Sequence, residues 1–86
     1  MFTVIFTKRA NKDYKRLSAK DQNRVAECIE NLHQQPFAGK KLDGEHDGYW
    51  SIRVWPYRII YTIEKHIITV TIIAIGYRKD VYRRLR

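Results

Sequence analysis

Gly48-Tyr-Trp-Ser-Ile-Arg-Val-Trp-Pro-Tyr-Arg-Ile-Ile-Tyr61 reads as two β-strands joined at a Trp55-Pro56 turn, and this reading decides the fold. Successive side chains of a strand point to opposite sides. Trp50, Ile52 and Val54 therefore share an apolar face that needs a cover, while Tyr49, Ser51, Arg53 and Trp55 share the other. The second strand, over residues 57–64, places Arg58 with Ile60 and Thr62. The register between the two strands is open, so a common face for Arg53 and Arg58 is a hypothesis at this stage.

Working outward, Glu64-Lys65-His66 marks a short hairpin loop and residues 67–75 form a third strand, apolar on both faces near its end as an interior strand is. Gly76 is expected to end it, leaving a short, very basic tail. Upstream, residues 36–48 carry Pro36, Gly39, Gly44, Gly48 and a run of charges, and read as a surface loop. Before the loop, Val25, Cys28, Ile29 and Leu32 make the apolar stripe of a helix that Ser18 caps and Pro36 stops. Ala10, Tyr14 and Leu17 give a shorter amphipathic helix over residues 8–17, capped by Thr7. Residues 2–6 read as a first strand. The order is β-α-α-β-β-β: an α+β domain in which a helical hairpin lies on one face of a sheet.

At 86 residues the chain makes one domain, residues 1–86. Its charge of +8 is uneven: residues 1–52 hold nine basic and seven acidic groups, residues 53–86 eight and two. The C-terminal half is thus the expected seat of a polyanion. The single cysteine, Cys28, rules out an intrachain disulfide and a thiolate zinc cluster. His33, His46 and His66 lack metal-ligand spacing, and only His46, in the charged loop, has a route to an active face. Phosphate-loop, dinucleotide and nucleophile-elbow motifs are missing. With no apolar run near the ~20 residues of a membrane span, and no basic leader, the expected location is cytoplasmic.

An arginine inside an apolar strand must reach water, a carboxylate or a phosphate. Arg58, in Tyr57-Arg-Ile-Ile-Tyr61, has no acid near it in sequence. Tyr49, Trp55, Tyr57, Tyr61, Tyr77 and Tyr82 interleave with the cations of this half. Guanidinium groups for the backbone and rings for the bases are what single-stranded nucleic acid requires.

The stretch 48–61, with Ile73-Ala-Ile-Gly-Tyr-Arg-Lys-Asp-Val-Tyr82, resembles the C-terminal half of RelE/ParE superfamily toxins, and length and element order extend the resemblance over nearly the whole chain. Its signals are Tyr57-Arg-Ile-Ile-Tyr61 and Ile75-Gly-x-Arg-x-x-Val-Tyr82; the basic tail fits the RelE branch better than the gyrase-poisoning ParE branch. The resemblance implies a small twisted antiparallel sheet under an N-terminal helical hairpin. It also implies a toxin of a type II toxin–antitoxin system that cuts mRNA in the ribosomal A site, the 2′-hydroxyl attacking the adjacent phosphate without a metal or other cofactor. Arg58, Arg78 and Tyr82 match residues of the family, Arg53 falls where the family often has a basic residue, and these four are the expected catalytic set; Ser51, Tyr77, Lys79, Arg83, Arg84 and Arg86 are expected to bind RNA or ribosome. The implied partners are an antitoxin protein, the ribosome and mRNA. Two departures stand out: Tyr77 replaces a histidine common in relatives, and Ser51 and Arg53 occupy a strand that carries lysines in others. Arginine is no conventional base, so phosphate stabilisation is well supplied and proton transfer is not; Tyr82 is expected to serve in proton transfer or in base stacking. Rival expectations are a ParE-like gyrase inhibitor without nuclease activity and a non-catalytic basic RNA-binding module.

Overall fold

A computed structural model describes residues 1–83 and 85. The elements are β1 (Thr3–Phe6), α1 (Lys8–Lys15), α2 (Ala19–Gln34), β2 (Lys40–Lys41), β3 (Trp50–Val54), β4 (Tyr57–Glu64), β5 (Thr69–Tyr77) and α3 (Arg78–Arg83). The strands form one five-stranded sheet in the order β1-β5-β4-β3-β2.

Both helix starts are built as their sequences imply. Thr7 Oγ1 accepts from Ala10 N–H at 3.1 Å, and Ser18 Oγ from Asp21 N–H at 3.2 Å. A cap of this kind stabilises a helix by about 1 kcal/mol. The hairpin then lays Ala10, Val25, Ile29 and Leu32 on Val54, Ile59, Tyr61, Val70, Ile72 and Ile75, all buried. Trp50, Ile52 and Val54 do share the helix-covered face. Tyr61 is fully buried there, and its phenol donates to Pro36 O at 2.8 Å and accepts from Gly39 N–H at 3.1 Å, pinning the segment after α2 to the sheet.

The sheet is not wholly antiparallel. β1 pairs parallel with β5, Thr3 opposite Thr69 and Phe6 opposite Ile72, whereas every other pair is antiparallel. The reason lies in the helical hairpin. Phe2 N–H bonds His33 O at 2.9 Å, so α2 ends beside the start of β1. β3 then leaves in the direction of β1, and two reversals later β5 runs that way as well.

Three other expectations are corrected. The 36–48 loop contains β2 and single 3₁₀ turns at Pro36–Ala38 and Gly44–His46, because Lys40 and Lys41 find β3 partners in Ser51 and Trp50. The last strand spans Thr69–Tyr77, not 67–75. Ile68 takes a left-handed φ of 50°, which keeps it in the hairpin turn, and Gly76 stays in the sheet opposite Arg58. Finally, the basic tail forms α3, since Val81, Tyr82 and Leu85 recur at helical spacing and pack on Ile60, Ile73 and Ala74. This small second core covers the sheet face opposite the hairpin.

A β-bulge separates the two halves of β5. Ile60 pairs with Ala74 and Tyr61 with Ile72, leaving Ile73 as the extra residue. The hydroxyl of Thr7 donates to Ile73 O at 3.1 Å, and Asp13 Oδ2 accepts from Ile75 N–H at 3.0 Å. These side chains of the first helical segment thus satisfy the β5 edge beyond the reach of β1. No helix among the described residues is long and apolar enough to cross a membrane.

Candidate functional site

The far face of the sheet, beside α3, gathers the strand arginine and the tail tyrosine. Arg53, Arg58 and Gly76 form one row across β3, β4 and β5; Ser51, Ile60 and Ala74 form the next. Register therefore puts Arg53 and Arg58 on the same face. Gly76 offers no side chain to crowd the guanidinium.

Ser51 links the group. Arg58 Nη1 donates to Ser51 Oγ at 3.4 Å, and Ser51 Oγ lies 3.1 Å from Tyr82 Oη. With Arg58 already donating, the serine's own proton is free to go to the phenol, giving a chain Arg58–Ser51–Tyr82. Ser51 is only 2% exposed. The expectation that it faces RNA gives way to an internal bridging position, because Tyr82 of α3 bonds it there. Sequence alternation assigned its face correctly, but the cover comes from α3, which the pattern of the tail had not disclosed.

Arg58 itself is half-buried, and its Nε is buried with no hydrogen-bond partner among the described residues. Leaving such a group unsatisfied costs about 1–3 kcal/mol. A guanidinium is a planar fork of donors whose shape matches a carboxylate or a phosphate.

His46, the histidine of the charged loop, also reaches this face. Gly44 and Gly48, with φ of 64° and 93°, bracket its turn; only glycine adopts such values without strain. The turn doubles back and brings the imidazole to the Tyr82 ring, with centroids 5.8 Å apart and planes 31° from parallel. Glu45 Oε1 lies 3.6 Å from His46 Nε2.

Other expected residues lie elsewhere. Arg78 opens α3 at the sheet's end and stacks over Trp55, its Cζ 5.9 Å from the ring centroid, in an open cleft with Pro56, Tyr77, Lys79 and Asp80. Tyr77 packs on Tyr57 at 5.1 Å, in the row of β4 and β5 that faces the helical hairpin, away from Ser51 and Arg58. Tyr57 donates to Asp21 Oδ2 at 2.8 Å. That hydrogen bond to a carboxylate holds the phenol proton and, with burial, pushes its pKa up to about 12. Arg53 is exposed and borders a groove with Arg24, Cys28 and Trp55. Arg83 is exposed and lies 3.9 Å from Asp80; Arg84 and Arg86 lie outside the described residues. Among the described residues no group of three or more His, Cys, Asp or Glu is placed to hold a metal.

The element order, the sheet topology and the sequence together define the class of protein. The chain belongs to the RelE/ParE superfamily of toxins of type II toxin–antitoxin systems. Residues 4–82 match the family described as ParE toxin of type II toxin-antitoxin system, parDE. Within the superfamily it is similar to Toxin RelG of Mycobacterium tuberculosis, 35% identical over 85 residues, which are 96% of this chain and 98% of RelG. The toxin–antitoxin complex RelBE2 of the same organism holds a chain of the same fold. There the TM-score is 0.83 at 33% identity, over 90% of this chain and 91% of that one. The isolated RelE toxin of E. coli superposes with a TM-score of 0.78 at 22% identity, over 96% and 93% of the two chains, a likeness of fold.

Proposed function

We propose that the chain is a ribosome-dependent mRNA endonuclease that arrests translation and is held in check by an antitoxin protein. The observation that carries this reading is the half-buried Arg58, whose Nε has no hydrogen-bond partner among the described residues and whose Nη1 begins a hydroxyl chain through Ser51 to Tyr82. Cleavage proceeds by attack of a ribose 2′-oxygen on the adjacent phosphorus. The P–O5′ bond breaks and a 2′,3′-cyclic phosphate forms. Arg58 binds the phosphate and stabilises the charge that grows on its oxygens, commonly the largest catalytic contribution. Arg53, in the same row, holds the RNA backbone. Tyr82 donates a proton to the departing 5′-oxygen and is positioned by Ser51. Arg78, stacked on Trp55, binds a neighbouring phosphate, with Lys79, Tyr77 and the tail arginines Arg83, Arg84 and Arg86 extending the contact to RNA or ribosome. The relatives crystallised as toxin–antitoxin complexes support the antitoxin as partner.

The test is controlled expression with mapping of RNA ends on translating ribosomes. Cuts inside reading frames that vanish without ribosomes, and that Arg58→Ala and Arg58→Lys abolish in folded protein, are the expected result. The match to the ParE family supports a second reading, a gyrase inhibitor without nuclease activity. Intact mRNA accompanied by gyrase-linked DNA breaks would establish that reading instead.

A further inference from the structure

From the position of His46 we infer that its imidazole is the general base of the site. The inference rests on the nuclease reading above and supplies the element which that reading lacks. Attack by a 2′-hydroxyl needs an acceptor for its proton. Arg58 and Arg53 are permanent cations, Ser51 is buried, and Tyr82 is committed to the leaving oxygen.

The geometry meets the remaining need. The His46 side chain is 23% exposed, enough to meet a substrate and enough covered to be held. Its ring lies against Tyr82, so the base and the acid stand side by side at the end of the Arg58–Ser51–Tyr82 chain. Facing the imidazole are the Glu45 carboxylate of its own turn and the Tyr82 phenol of α3. Arg58 stands behind Ser51, and the charged pair Asp80–Arg83 of α3 is engaged with itself. Glu45, nearest Nε2, favours the tautomer with its proton there and leaves Nδ1 as the acceptor. It also stabilises the imidazolium formed on proton transfer, as a carboxylate does for a catalytic histidine.

The step balances without a further reactant. The proton leaves O2′ for His46 Nδ1 as the O2′–P bond forms. The P–O5′ bond breaks, and Tyr82 gives its proton to O5′. Solvent then takes the proton from the imidazolium and returns one to the phenolate.

Single-turnover cleavage of ribosome-bound mRNA should slow in His46→Phe. That substitution keeps a flat ring against Tyr82 and deletes only the basic nitrogen. The expected loss in rate is ~10²–10⁴-fold with ribosome binding intact, and added imidazole should restore part of the rate to His46→Ala. Cleavage by His46→Phe at the wild-type rate would overturn the inference alone, leaving His46 as a cushion for the tyrosine. Intact mRNA with the wild-type protein would overturn the nuclease reading and this inference together.

Discussion

Arg53 and Arg58 are direct cross-strand partners, two permanent cations in register on neighbouring strands. Like charges so placed oppose the pairing that holds them, and nothing in the fold requires both. The arrangement makes sense as a clamp whose repulsion is relieved by an anion. Arg53→Thr should raise the stability of the free protein by about 0.2–1 kcal/mol, read from urea denaturation, and should weaken RNA cleavage. A variant both less stable and fully active would remove Arg53 from the site.

Ser51→Ala tests the buried link. It removes the acceptor of Arg58 Nη1 and the partner of Tyr82 Oη while leaving both side chains in place. Hydrogen bonds to charged groups contribute about 1.5–3 kcal/mol, so kcat should fall roughly 10- to 100-fold with KM little changed. Equal losses in Ser51→Ala and in the Ser51→Ala/Tyr82→Phe double variant would show that both act through one chain. Additive losses would separate them.

Gly39 is a steric requirement. A Cβ there would collide with the Tyr61 hydroxyl and lie 2.7 Å from the Ser51 carbonyl oxygen. Gly39→Ala must therefore displace either a buried phenol or the β3 backbone beneath the site. Calorimetry should show a loss of about 1–3 kcal/mol and a lowered Tm. An unchanged Tm would mean that the 36–39 segment is free to lift away.

Alkaline pH should loosen the fold through two phenols. Burial pushes the Tyr61 pKa up to about 12, against an ordinary value of 10.0. The hydrogen bond to Asp21, with burial, pushes Tyr57 to about 12 as well. In both cases the unfolded chain gives up the proton first. Their contribution is thus complete below pH 10 and is lost as pH rises through the folded values near 12. Denaturation midpoints measured across this window should fall, and Tyr57→Phe should flatten the fall. A midpoint independent of pH between those limits would contradict both assignments.

Period-two alternation made Trp50, Ile52 and Val54 legible as core-facing, because each strand position has only two choices of side. Caps at Thr7 and Ser18 were legible for a similar reason: the hydroxyl acts on its own chain a few residues away. Burial of Ser51 was not, since it depends on α3 returning from the end of the chain. Nor was the approach of His46 to Tyr82, which joins a glycine-bracketed loop to a tail 36 residues on and leaves no local pattern. Asp13, set among the lysines and arginines of α1, shows no sign in the sequence of its bond to the edge of β5. It becomes a sheet ligand only because β1 stops opposite Ile72.

The bulge at Ile73 acts on the chain as a change of phase. Ile72 and Ile75 both enter the main core although three positions separate them, an odd interval that an uninterrupted strand cannot accommodate on one side. Everything downstream inherits the shift: Gly76 rather than Ile75 comes to lie opposite Arg58, and α3 departs toward the arginine face rather than the helical hairpin. Chain length at this point therefore carries information that residue identity does not. Ile73 can be exchanged for another apolar residue at small cost, but pairing it into a regular ladder would set Ile75 opposite Arg58, where the guanidinium needs open space.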